Sequence, residues 1–322
     1  MKKIGVVIDF LNDDYEKTIR EAAARNGYTA EFYPSSAAAV EHASECEILY
    51  GHCSRKVIAA AKNLKWYCCC WAGVEPFCKP GVFPDENCLL TNSSGAYGVT
   101  ISEHLIMVCL MLLRRQMEYT EIIRDGDWRV LPGGIRSLHG AKITVLGTGD
   151  IGTEFARRAK SFSPAKITGV RRTQKPGDPA FDEIVTYEEL DRVLPETELL
   201  VMALPSTLET AGILSRERIA LLPKCAFVVN VGRGNAVDQK ALSDALNAGE
   251  LAGAAVDVVE PEPLPADHYL RKTKNLLLTP HVAGNMTLGY SCRRSVEMFV
   301  EDLDNFANGR PLKRLVDRKK GY

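Results

Sequence analysis

The run "KITVLGTGDIGTEFARRAKSF", residues 142–162, constrains this chain more than any other stretch. It sets Gly147, Gly149 and Gly152 in the spacing GxGxxG, after an apolar run and ahead of helical text. A further apolar run, "KITGV", follows. The spacing alone is weak evidence, but strand, glycine turn, helix and second strand together form the context of a dinucleotide-binding fingerprint. In that context Gly147 permits the tight turn, Gly149 lets backbone approach a pyrophosphate, and Gly152 lets helix pack on strand. The helix start, with Asp150, Ile151 and Gly152 in its first turn, offers N–H groups and a positive dipole end to phosphates. These five positions are the first cofactor-binding candidates.

The second strand of the fingerprint ends at Val170, where an acid commonly holds a ribose 2′-OH. This chain has Arg171 and Arg172 there. Arginine cannot accept that hydrogen bond, but it can grip a 2′-phosphate and stack on adenine. The expectation is NADP(H) over NAD(H), against the plainer reading of two solvated arginines after a strand.

Strand and helix text alternates on both sides of the fingerprint, which argues for parallel α/β sheets. Upstream, "KIGVVI", "CEILYG" and "LKWYCCC" read as strands, with helices over residues 14–26 and 54–61. A long helix is expected over residues 99–124, which lack Pro and Gly. Downstream, "ELLVMAL", "AFVVNV", "LAGAAVDV" and "NLLLTP" complete the series, and a last helix covers about residues 288–308. The expected fold is α/β, with two Rossmann-like, doubly wound parallel-sheet domains.

Arg233 in "NVGRG", Asp257 and Glu262 in "DVVEPEP", and His281 in "PHVAG" each lie just beyond an apolar strand of the second series. Ligands of open α/β sheets bind outside the carboxyl ends of strands, so an arginine, a carboxylate and a histidine should gather at one edge. Those residue types suit reduction of a 2-oxo acid. Histidine gives or takes a proton near neutral pH. A neighbouring carboxylate favours the imidazolium and orients the ring. Arginine presents a fork to a carboxylate and polarises a carbonyl oxygen. Singly, each residue reads as an ordinary loop or surface group; together, after three successive strands, they read as a site.

With these motifs and "PSTLET" at residues 205–210, the chain resembles the D-isomer-specific 2-hydroxyacid dehydrogenases, of the glyoxylate/hydroxypyruvate reductase kind, over nearly its whole length. The resemblance implies Arg233 as substrate-binding and carbonyl-polarising, Glu262 as the partner of the histidine and His281 as acid/base. It implies Asp257 at the nicotinamide carboxamide and further cofactor contacts at Pro205, Thr210 and Val231. "WAGVEPF" resembles the family's substrate loop, so backbone N–H groups around Ala72, Gly73 and Val74 would hold the substrate carboxylate. Glu75 stands there in place of the usual aspartate. Trp71 either walls that pocket or fills core, and His52 reads more readily as structural. The resemblance also implies a discontinuous substrate-binding domain, residues 1–97 and 284–322, around a dinucleotide-binding domain, residues 98–283. It implies a two-fold homodimer through the helix that begins near Val99. Formate dehydrogenase shares the fold, but Glu262 with His281 argues against it.

Composition narrows the partners. A net charge of −1 gives no electrostatic reason to expect nucleic acid or an anionic membrane. The longest apolar run, "ISEHLIMVCLMLL", is broken by Glu103 and His104 and falls short of the roughly 20 residues a bilayer span needs. The ten cysteines show neither CxxC pairs nor zinc spacing and suit a reducing cytoplasm. No metal is expected. A rival from another class is a dinucleotide-sensing, corepressor-like interaction protein of the same fold, although no disordered tail or basic patch suits such a partner.

Overall fold

Short apolar runs bounded by turn residues recur along the chain, and each becomes a parallel strand. The computed structural model describes residues 2–321, so residues 1 and 322 of the expected first domain lie outside the described residues. In chain order the first elements are β1 (Lys2–Val7), α1 (Asp13–Arg25), β2 (Tyr28–Phe32), α2 (Ser36–Ala39), β3 (Cys46–Gly51), α3 (Arg55–Ala60), β4 (Trp66–Cys69) and β5 (Leu89–Thr91). Then follow α4 (Gly98–Leu113), α5 (Gln116–Arg124), β6 (Lys142–Leu146), α6 (Asp150–Lys160), β7 (Lys166–Arg171), β8 (Glu183–Thr186) and α7 (Leu190–Val193). The chain closes with β9 (Leu199–Met202), α8 (Arg216–Leu221), β10 (Phe227–Asn230), α9 (Gln239–Ala248), β11 (Gly253–Val256), β12 (Leu276–Leu278) and α10 (Gly289–Ala307).

These elements form two units: Gly98–Asn285, and a discontinuous one made of the chain up to Tyr97 and the segment from Met286 onward. The discontinuous unit carries a parallel five-stranded sheet in the order β2-β1-β3-β4-β5. Its continuity across the sequence gap has a chemical cause in α10. Phe299 stacks on Tyr50 with ring centroids 4.2 Å apart and also on Trp66 at 5.6 Å. Ser295 Oγ bonds both Tyr50 Oη and Ser93 Oγ at 3.0 Å. Large aromatics buried against one helix face supply much of this core.

The second unit carries a parallel seven-stranded sheet in the order β12-β11-β10-β9-β6-β7-β8. Strand order reverses between β6 and β9, the crevice where open α/β sheets hold ligands. Its core joins Leu146, Val170, Met202, Val228 and Val256 from successive strands. Among the described residues, no helix is long and apolar enough to cross a membrane.

Three strands, β2, β5 and β8, have no counterpart in the runs read from sequence, and all three lie at sheet edges. Edge strands are short and carry polar residues that keep an open edge soluble, so "YTAEF" and "EIVT" do not stand out as buried text. The long helix expected over residues 99–124 is two helices. Arg115 takes φ 55° at the break, in the left-handed region. Its guanidinium fastens the turn, bonding both carboxylate oxygens of Glu118 and the carbonyl of Pro132. Neither Gly nor Pro marks that break in the sequence.

Candidate active site

The glycine turn joins β6 to α6 as the spacing requires. Gly147 has φ +101°, and a Cβ there would lie 2.6 Å from the carbonyl oxygen of Ala203. At Gly152 a Cβ would lie 1.9 Å from the carbonyl oxygen of Gly147, closer than any real contact. Gly149 differs: nothing lies within 4 Å of where its Cβ would point. Two glycines are therefore demanded by packing, and the third keeps the approach to the helix start open. Gly149 is also the N-cap of α6 and supplies no capping side chain, so no N-cap side chain competes with a phosphate for the helix start. The cradle fits a dinucleotide pyrophosphate. The Asp150 carboxylate itself is engaged elsewhere, accepting the N–H of Gly98 at 2.7 Å and tying α4 to α6.

Around this cradle lie the other expected cofactor positions. Arg171 ends β7, and Arg172 follows it. Thr210 is buried, and its hydroxyl donates to the carbonyl of Pro205 at 2.6 Å while accepting the N–H of Thr207 at 2.9 Å. It shapes the loop beyond β9. Val231 continues from β10, its N–H bonded to Met202 at 3.0 Å.

The three chemistry-bearing segments follow β10, β11 and β12. Arg233 stands between two glycines pressed against neighbouring backbone. A Cβ on Gly232 would lie 2.6 Å from the nitrogen of Leu204, and one on Gly234 would lie 2.3 Å from the carbonyl carbon of Val259. Asn230, fully buried, binds the turn from below through Gly232 N–H and the Arg233 carbonyl. Arginine thus leaves a turn that has almost no freedom to move.

His281 and Glu262 meet directly: Nδ1 lies 2.7 Å from Oε2, while Oε1 accepts the N–H of Val259 at 3.0 Å. The imidazole is about half exposed, at 53% of its side chain, so a substrate can reach it. Asp257 is 4% exposed, and its carboxylate serves the same loop. It accepts the Thr279 hydroxyl at 2.6 Å and the N–H groups of Val282 and Ala283 at 2.9 and 3.0 Å. The carboxylate of Asp257, which the resemblance implies at the nicotinamide carboxamide, also holds the segment that carries His281.

Sequence reasoning missed Asn230, Thr279 and His104. The first two sit inside motifs that drew attention to other residues. His104, half-buried on α4, has its pKa lowered by burial, with the charge of Asp257 opposing. In the sequence it showed only as a break in an apolar run.

The discontinuous unit holds the remaining candidates in the loop after β4. Among the described residues, the N–H groups of Ala72, Gly73 and Val74 have no acceptor. The Ala72 carbonyl accepts Asn92 Nδ2 at 2.8 Å, and Ser93 N–H bonds the carbonyl of Trp71 at 3.1 Å. These bonds hold the loop through its carbonyls. Trp71, half-buried, meets His52 edge to face at 5.7 Å and packs on the core beneath. Among the described residues, no group of His, Cys, Asp and Glu is arranged to hold a metal.

Residues 106–283 match the family model described as D-isomer specific 2-hydroxyacid dehydrogenase, NAD binding domain. The chain belongs to the D-isomer specific 2-hydroxyacid dehydrogenase family. It is accordingly an NAD(P)-dependent oxidoreductase acting on the CH–OH group of donors. Over 302 residues it is 30% identical to a glyoxylate reductase of Korarchaeum cryptofilum, covering 89% of this chain and 87% of that protein. A D-isomer specific 2-hydroxyacid dehydrogenase family protein from Aeromonas salmonicida superposes with a TM-score of 0.87 at 29% identity, over 98% of this chain and 99% of that one. A family dehydrogenase from Xanthobacter autotrophicus, solved with NADPH and MES, superposes with a TM-score of 0.84 at 26% identity over the full length of both.

Proposed function

We propose that this dehydrogenase reduces a small 2-oxo acid to the D-2-hydroxy acid, with NADPH as the preferred reductant. The observation that carries the reading is the 2.7 Å contact between His281 Nδ1 and Glu262 Oε2. A carboxylate on Nδ1 keeps the proton there and leaves Nε2 as the atom that gives a proton to the carbonyl oxygen, or takes it back in the oxidative direction. Arg233, on its fixed turn, binds the substrate and draws charge onto the carbonyl oxygen. The unpaired amides of Ala72, Gly73 and Val74 hold the substrate carboxylate. The nicotinamide supplies the hydride. Asp257 keeps the His281 segment in register.

NADPH preference is supported by Arg171 and Arg172 standing where an acid would accept a ribose 2′-OH, and by the NADPH in the Xanthobacter relative. Glyoxylate as the lead substrate is supported by the name of the Korarchaeum relative. We take the working form to be a homodimer through α4, α5 and the loop beyond. Met107, Ile123, Trp128, Val130 and Ile135 are all exposed there, Trp128 at 91%, an apolar run that a second copy would cover. Ten free cysteines suit a reducing cytoplasm.

Initial rates with NADPH and with NADH, each against glyoxylate, hydroxypyruvate, pyruvate and bulkier aromatic or branched 2-oxo acids, test the reading. The expected result is a clear NADPH preference with a small acid ahead and a D product. Equal rates with NADH would return Arg171 and Arg172 to solvated surface charges, and an L product would overturn the stereochemistry.

A further inference from the structure

The two arginines at the tip of β7 keep different company. Arg171 pairs in register with Thr186 of β8 and, among the described residues, makes no ion pair. Arg172 has Nη1 3.8 Å from Oε2 of Glu209. Glu209 belongs to another segment, the loop after β9, and that loop is stiff where it matters. The Thr210 hydroxyl bridges Pro205 and Thr207, and Ala211 N–H closes on the Thr207 carbonyl at 3.0 Å. The staple fixes the backbone under Glu209 and leaves its side chain, with that of Leu208, in solvent.

An ion pair at 3.8 Å between two groups each more than a third exposed does little for stability. Its consequence is electrostatic and local. It sets one negative charge beside a guanidinium read as gripping a 2′-phosphate. We propose that Glu209 is a cofactor-selectivity residue, the resident counter-ion of Arg172. A ribose 2′-phosphate displaces it, and a ribose 2′-OH leaves it in place. This rests on the reading of Arg171 and Arg172 as 2′-phosphate ligands.

The sign follows from charge. A 2′-phosphate carries up to two negative charges and must compete for Arg172 with a carboxylate of the same sign. NADH brings no charge to that point and meets no repulsion. Glu209 therefore narrows the gap between the two cofactors, weakening NADPH and keeping NADH usable. Glu209→Gln removes the charge and keeps the shape.

Calorimetric titration of the full-length protein with NADPH, NADH, adenosine 2′,5′-bisphosphate and adenosine 5′-monophosphate tests this, on wild type, E209Q and R172A. For E209Q, the Kd for NADPH and for the bisphosphate should fall about three- to fivefold at low ionic strength, the range of an exposed charge contact. The Kd values for NADH and the monophosphate should stay put, and the gain should shrink in roughly 0.5 M salt. R172A should lose affinity for the 2′-phosphorylated ligands alone. If R172A does so while E209Q changes nothing, or tightens all four ligands alike, the role of Glu209 is overturned and the arginine reading stands. If R172A leaves the NADPH-to-NADH ratio unchanged, the arginine reading falls and this inference falls with it.

Discussion

His281 holds a backbone conformation that side-chain-bearing residues rarely adopt, with φ 53°. Two hydrogen bonds keep it there, from its N–H to the carbonyls of Asp257 and Thr279, and the Asp257 carboxylate pins the two residues that follow. Strain of this kind persists only where the surroundings over-determine it, and it concentrates at functional positions. Such a backbone serves to aim one ring nitrogen outward while Glu262 takes the other. His281→Gln should lower kcat by about 10²- to 10⁴-fold, the usual worth of a positioned acid/base. Glu262→Gln keeps the shape but loses the charge that holds the tautomer, and should lower kcat by roughly tenfold or more. Both variants should bind cofactor normally, so kcat and cofactor Kd measured side by side check the roles; near-normal turnover in either would reject its assignment. At this scale the sequence was readable wherever a motif named the residue. Asn230 and Thr279 were not readable, because they act through hydrogen bonds whose partners come together only after folding.

Elements were legible where an apolar run was long enough to stand out from the text around it. The strands at the middle of each sheet announced themselves as apolar runs, and so did β12 at an edge, whereas the polar edge strands β2 and β8 and the three-residue β5 did not. Helix α10 was readable in extent, but its reason for belonging to the first unit lies in buried contacts. One of these is ionic. Asp302 on α10, 1% exposed, takes Arg314 Nη2 on one oxygen at 2.9 Å and the N–H of Lys313 on the other at 2.9 Å. Through it the C-terminal tail is tied down, and Val316 N–H then reaches the Leu90 carbonyl of β5 at 2.8 Å. Removing one partner of a buried pair strands the other charge, which costs about 3 kcal/mol or more. Arg314→Met should accordingly lower stability by about that amount in a urea titration, with cofactor affinity unchanged. A loss under about 0.5 kcal/mol would mean that water already solvates the pair.

At the scale of the whole molecule the two units differ in a way the composition conceals. Eight of the ten cysteines belong to the discontinuous unit, and only Cys109 and Cys225 to the other. Six of the eight lie buried between Cys46 and Cys88. Burial pushes the Cys46 and Cys69 thiols up to about 11, and those of Cys68 and Cys88 up to about 12, from an ordinary 9.0. Cys53 and Cys70 are raised for the same reason. A thiol whose pKa is higher folded than unfolded favours the fold fully below pH 9 and loses that contribution as pH rises toward 11–12. At pH 10 each such thiol ionises readily only in the unfolded chain, a loss of about 1.4 kcal/mol apiece. Several together approach the roughly 5–15 kcal/mol by which whole domains are stable. The discontinuous unit should therefore unfold first in alkali, with its urea midpoint flat from pH 7 to about 8.5 and falling steeply by pH 10. Trp66, buried between Phe299 and Phe306, reports this as a red shift in emission, whereas Trp128 is already exposed in the other unit. A midpoint that stays level through pH 10.5 would mean that water reaches these thiols in the folded state and that the burial holding them protonated is incomplete.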